Sequence, residues 1–135
     1  MIVIDEKKIF EIIEKRNPTS VALNGPDGLL HKVQDLALRI GKKFGIPAFV
    51  LADTTWGTCD LNSVGAKVLN AEIQFNIGHT SRLETIEKNV IMIDAFDDIS
   101  FDSVTEKCIG MFRGKTISLI TDSQHRSEER RVGKE

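Results

Sequence analysis

The chain predicts an α/β domain: a parallel Rossmann-like (flavodoxin-like) sheet of four to five strands flanked by helices. Three observations predict it. Short apolar runs suited to buried strands recur at 20–23, 48–51, 73–77, 90–93 and 116–121. Stretches with helical apolar spacing lie between them. Proline, glycine and asparagine close those stretches before the next strand begins. Such alternation implies βαβ units, and right-handed crossovers then restrict the topology closely.

Taken in order, Asp5 caps a helix reaching about Arg16, with Ile9, Phe10, Ile12 and Ile13 as its apolar stripe. Asn17-Pro18 stops it, because proline cannot continue a helix and restricts the residue before it. Ser20-Val21-Ala22-Leu23 is the first strand, and Asn24-Gly25-Pro26-Asp27-Gly28 a tight turn. A second helix sets Leu30, Val33, Ala37, Ile40 and Phe44 on one face. Gly45 suits the left-handed position after its end, and Pro47 confirms the stop. The 48–51 strand leads into a polar loop. Residues 61–69 form a short helix weakened by Gly65. In the 73–77 strand, Gln74 and Asn76 interrupt the apolar run. Residues 82–88 are a helical turn or loop before the 90–93 strand. Ser103 with Glu106 three positions on is a capping-box pattern, opening a helix to about Phe112 that Gly114 closes. Cys108, inside that helix, is expected as a small core residue.

The 135 residues suffice for one domain with a single core. Residues 1–114 are expected to form it. Residues 115–125 would be the first strand of a second, truncated domain. The decapeptide 126–135 resembles the translation of a widely used sequencing adapter and is expected not to be native, so it is set aside from fold reasoning. A net charge of -2 argues against a nucleic-acid footprint. No apolar run approaches the roughly 18 residues that a membrane span needs. The first residues, Met1-Ile2-Val3-Ile4-Asp5-Glu6, lack the basic and apolar regions of a signal peptide, so a cytoplasmic location is expected. Two cysteines, Cys59 and Cys108, make no disulfide framework and remain thiols in a reducing compartment.

Ligands of a parallel α/β sheet bind outside the carboxyl ends of its strands. Three polar loops leave those ends. The first carries Asn24, Gly25, Asp27 and Gly28; it is either a plain turn with Asp27 capping the next helix or an anion site at that helix's N-terminus. The second, Ala52-Asp53-Thr54-Thr55-Trp56-Gly57-Thr58-Cys59-Asp60, holds the only tryptophan and one of the two cysteines among small hydroxylic residues. Such a stretch builds a core poorly but can bring a thiolate and backbone N–H groups to a ligand. The third carries Gly78, His79 and Thr80. Cys59 is open to three roles: a nucleophile with His79 as base, a metal ligand, or an inert half-buried thiol. An iron–sulfur cluster would need more cysteines than one. A stand-alone small-molecule binding module without a metal would use the same loops.

Taken together, residues 23–30 (Leu-Asn-Gly-Pro-Asp-Gly-Leu-Leu), 51–60 and Gly78-His79-Thr80 resemble the first domain of the diphthamide synthase family in its archaeal form. Gln124-His125 is similar to the entry into that family's second domain, so the likeness runs in order from about Ser20 to His125. The resemblance implies three related α/β domains, each giving one cysteine to a [4Fe-4S] cluster. It implies a transferase that cleaves S-adenosylmethionine by a radical route. The product is a 3-amino-3-carboxypropyl group on a histidine of translation elongation factor 2, made by a homodimer. Cys59 matches the first cluster cysteine. Asn24, Asp27, Gly28, Asp53, Thr55, Gly57 and His79 fall on the three loop motifs and are expected around the cofactors; no catalytic side chain is assigned. Trp56 stands where tyrosine is more frequent, and Asn76 where histidine is common. The second and third cluster cysteines are absent, so the chain is expected to be an inactive fragment of such an enzyme.

Overall fold

A computed structural model describes residues 2–53, 61–79 and 87–118. The chain divides into two compact units, Ile4–Ala95 and Met1–Val3 with Phe96–Glu135.

The larger unit is a parallel sheet flanked by helices. Helix α1 (Glu6–Arg16) starts at Asp5, whose carboxylate accepts from the Lys8 N–H at 3.2 Å. It stops at Asn17, which is left-handed at φ 46° and sends its N–H to the Ile13 carbonyl. Strand β2 (Val21–Asn24) follows, then a 3-10 turn (Asp27–Leu29), α2 (Leu30–Phe44), β3 (Ala48–Leu51), α3 (Ser63–Val68), β4 (Ile73–Ile77) and β5 (Val90–Ile93). Gly45 ends α2 at φ 68°, as its position after the last apolar residue predicts.

The four strands are parallel in the order β3-β2-β4-β5. This is the flavodoxin-like arrangement, in which the first strand lies between the second and third. Register partners share a face of the sheet. Val21, Leu23, Phe75, Ile77 and Ile93 therefore lie on one face, all fully or almost fully buried. Helices α1 and α2 supply Ile9, Ile13, Val33, Leu36, Ala37 and Ile40 to this core. Of the stripe expected on α2, Leu30 and Phe44 are only half-buried, and Leu36 joins the buried set. Arg39 holds Glu6 through two hydrogen bonds of 2.6 and 2.5 Å. The bond to Glu6 raises the guanidinium pKa above its ordinary value, against a smaller lowering by desolvation. Lys43 reaches Glu14 at 3.0 Å and lies over the rings of Phe10 and Phe44. These contacts lock α1 beside α2. The other face carries a small cluster of Ala22, Leu51, Ala66 and Ala71, with α3 across it.

Two strands escaped the sequence analysis. β1 (Ile2–Ile4) and β6 (Ala95–Asp97) pair as a two-stranded sheet. At three residues each, they are too short to show the alternation that marks a strand.

In the smaller unit three expectations are corrected, two of them at α4 (Asp102–Phe112). Ser103 does not cap it: the helix begins a residue earlier, and the position before it is Phe101, without a side-chain cap. Ser100 instead accepts from the Asp102 N–H at 3.2 Å and donates to its carboxylate at 2.6 Å. Cys108 is no core residue, because α4 buries none of its side chains and Cys108 itself is half-exposed. Residues 115–118 are not strand, so the described part of the expected 116–121 strand is irregular; the remainder lies outside the described residues, as does the 126–135 decapeptide.

Candidate functional site

The strand order places a switch point between β2 and β4, where chain connections leave in opposite directions. Two glycines close the loops there onto each other. A Cβ on Gly25 would meet Val33 Cγ2 at 3.3 Å and Ile77 at 3.6 Å. Gly78 has φ +81°, and a Cβ on it would meet Pro26 at 3.4 Å. The first and third loops of the sequence analysis are thus packed together. Asp27 and Gly28 are exposed on the 3-10 turn. Asp27 does not cap a helix: neither that turn nor α2 has a side-chain cap.

Beneath this point runs a polar row. Asn24, Gln74 and Asn76 are all 0% exposed. Register pairs Asn24 with Asn76, and Gln74 is two residues behind on the same face of β4. The Gln74 amide donates to the Leu61 carbonyl, while its Oε1 has no partner. Asn76 Oδ1 is 3.3 Å from His79 Nδ1, while its Nδ2 has no partner. Polar groups at the opposite edge are satisfied: the backbone N–H and hydroxyl of Thr19 bond Glu72, and Ser20 donates to the Asn70 carbonyl. Unpaired buried polar atoms cost about 1–3 kcal/mol each, so the Asn76 donor toward the carboxyl end of β4 and the Gln74 acceptor two residues before it call for a ligand or an ordered partner.

The expected site residues divide accordingly. His79 lies within hydrogen-bond distance of Asn76, whose register partner on β2 is Asn24. Asp53 is exposed and accepts from Asn62 Nδ2. Thr55, Gly57 and Cys59 lie outside the described residues, so the pairing of Cys59 with His79 that a thiol hydrolase would need lies there too. Among the described residues no group of three or more His, Cys, Asp or Glu could hold a metal, and no helix is long and apolar enough to cross a membrane. Gln74, Asn76 and Asn62 were given no role from sequence. The signal for the first two was present, as amides at alternate positions of an otherwise apolar strand.

Fold and site define a doubly wound α/β domain with a buried polar row below its switch point. The model of the diphthamide synthesis protein family matches residues 25–135, and the chain belongs to that family. It is 28% identical over 90 residues to 2-(3-amino-3-carboxypropyl)histidine synthase subunit 1 of Dictyostelium discoideum, covering 67% of this chain and 19% of that protein. To subunit 2 of Xenopus laevis it is 29% identical over 72 residues, covering 53% of this chain and 15% of that protein. The chain therefore spans under a fifth of these relatives. The crystal structure of Dph2 from Pyrococcus horikoshii with a 4Fe-4S cluster superposes with a TM-score of 0.81 at 22% identity, over 98% of this chain and 40% of that one. That likeness bears out the α/β fold.

Proposed function

We propose that this chain is the cofactor-bearing first domain of a transferase that moves a 3-amino-3-carboxypropyl group from S-adenosylmethionine to a histidine of translation elongation factor 2, the first step of diphthamide formation. Residues 1–114 would be that domain and 115–125 the entry to a second, with the intact enzyme a cytoplasmic homodimer. Family membership supports the pathway, and the observation that carries the site is the half-satisfied amide row below the switch point.

The residues present fit the two cofactors in different degrees. Cys59 would be one ligand of a [4Fe-4S] cluster; such clusters usually take several cysteines, so the others would come from other domains. Bound there, the cluster would supply the electron for cleaving a carbon–sulfur bond of S-adenosylmethionine. This chain's own residues would bind and orient. The donor Asn76 Nδ2 and the acceptor Gln74 Oε1 match the carboxylate and ammonium of an amino-acid group. His79 would be held by Asn76 at the rim. Asn24, Asp27, Gly28, Asp53, Thr55 and Gly57 would line the loops around the cofactors. The test uses the full-length parent: Cys59→Ala should abolish cluster binding, read as iron content, whereas Cys108→Ala should leave it intact. Iron that survives Cys59→Ala would overturn the proposal.

A further inference from the structure

The parallel sheet has two edge strands, β5 and β3, and they are protected differently. At β5, the Gln74 N–H bonds the Asn89 carbonyl and the Gly78 N–H bonds the Ile93 carbonyl. Alternation along the ladder then turns the backbone groups of Val90 and Met92 outward. The outward Met92 carbonyl accepts from Lys8 Nζ at 3.1 Å, so a lysine of α1 guards that edge. At β3, the Val21 N–H bonds the Pro47 carbonyl at 3.0 Å, which turns the backbone groups of Ala48 and Val50 outward. The strand Ala48–Leu51 has no charged side chain, and among the described residues no further strand pairs with it. Ala48, Phe49 and Val50 are only half-buried, and Leu38 of α2 is 68% exposed. With Gln34, Gly41 and Lys42 of α2, the residues Leu38, Ala48 and Val50 line an open groove along this edge.

We propose that the β3 edge and the adjoining side of α2 are the contact between two copies of this chain, joined about a twofold axis into one continuous sheet. A second copy fits because the surface is complementary to itself. Antiparallel pairing centred on Phe49 lets Ala48 and Val50 exchange N–H···O bonds with Val50 and Ala48 of the other copy. It sets the two Phe49 side chains side by side on the face away from α2, in the closer, non-hydrogen-bonded position that suits an aromatic pair. The two α2 helices then run antiparallel, with Leu38 against Leu38 at the axis. Asp35 lies about one turn before Leu38 and Lys42 about one turn after it, both exposed. Each Asp35 therefore faces the other copy's Lys42, so charge as well as shape selects this pairing. The contact gives a surface to the homodimer of the proposed function and rests on that reading only for its place in the intact enzyme.

The measurement is sedimentation equilibrium of the 135-residue chain over a concentration series in reducing buffer. The expected result is reversible association of the 15.1 kDa chain to twice its mass. Leu38→Glu, on the exposed side of α2, should weaken association by about tenfold or more, because it sets two carboxylates against each other at the axis. Asp35→Lys and Lys42→Asp should each weaken it roughly fivefold. Combined, they exchange the two charges and should restore it. Lys15→Glu, an exposed change on α1, should leave it unmoved. Circular dichroism checks that each variant keeps its fold. A chain that stays monomeric throughout, a dimer that survives Leu38→Glu, or a double variant as weak as the single ones would overturn the interface. Iron lost in Cys59→Ala of the full-length parent beside a monomeric chain would keep the transferase proposal and sink the interface; iron retained beside a dimer sensitive to Leu38→Glu would do the reverse.

Discussion

The two faces of the parallel sheet follow different rules. Beneath α1 and α2, Val21, Leu23, Phe75, Ile77 and Ile93 are buried apolar side chains meeting apolar helices. On the opposite face the same strands present Ala22, Asn24, Leu51, Gln74 and Asn76. Both sets are removed from water, but the first gains hydrophobic free energy along its whole length, at about 25 cal/mol per Å² of apolar surface, and the second only through Ala22 and Leu51. The second carries two unpaired polar atoms, which oppose folding. One face holds the domain together, and the other keeps polar groups where stability alone would favour leucine. Such a local conflict is expected at functional sites.

The comparison can be broken first at Phe75. Phe75→Ala should cost about 3–5 kcal/mol in urea unfolding, because it leaves a cavity in the apolar face. A cost below about 1 kcal/mol would mean that this face is not the core. One position along the strand, Asn76→Leu should change stability by no more than about 1 kcal/mol in either direction, since it removes an unpaired donor as well as the contact to His79. A loss above about 2 kcal/mol would show Asn76 fully bonded in solution and the polar face as stabilising as the other. The smallest effect belongs to the surface of the helices covering the apolar face. Arg39→Ala should cost under about 1 kcal/mol, because its pair with Glu6 is partly exposed and screened. The difference from wild type should shrink as sodium chloride is raised; a salt-independent loss would mean that the Arg39 stem acts by packing.

Much of the fold was legible because its signals are local. Asp5, Asn17-Pro18, Gly45 and the apolar runs at 48–51, 73–77 and 90–93 each act within a few residues, and the elements formed where they predicted. The failures share a cause. Cys108 and Ser103 were judged by pattern inside one helix, but burial depends on what packs against a helix and capping on where it starts; α4 has no buried residue and starts at Asp102. Residues 116–118 have strand-like composition without strand structure, since a strand exists only where a neighbour pairs with it.

The sequence by itself determined the α/β alternation, the family motifs and the three polar loops, because periodicity, turn chemistry and motif order are properties of neighbouring residues. Tertiary structure alone decided the order β3-β2-β4-β5, the meeting of Gly25 with Ile77 and of Gly78 with Pro26, and the alignment of Asn24 with Asn76. It also decided that Asn62 donates to the Asp53 carboxylate and Gln74 to the Leu61 carbonyl. Those relations join residues far apart in the chain, and only the hydrogen-bonded register of the sheet brings them within reach.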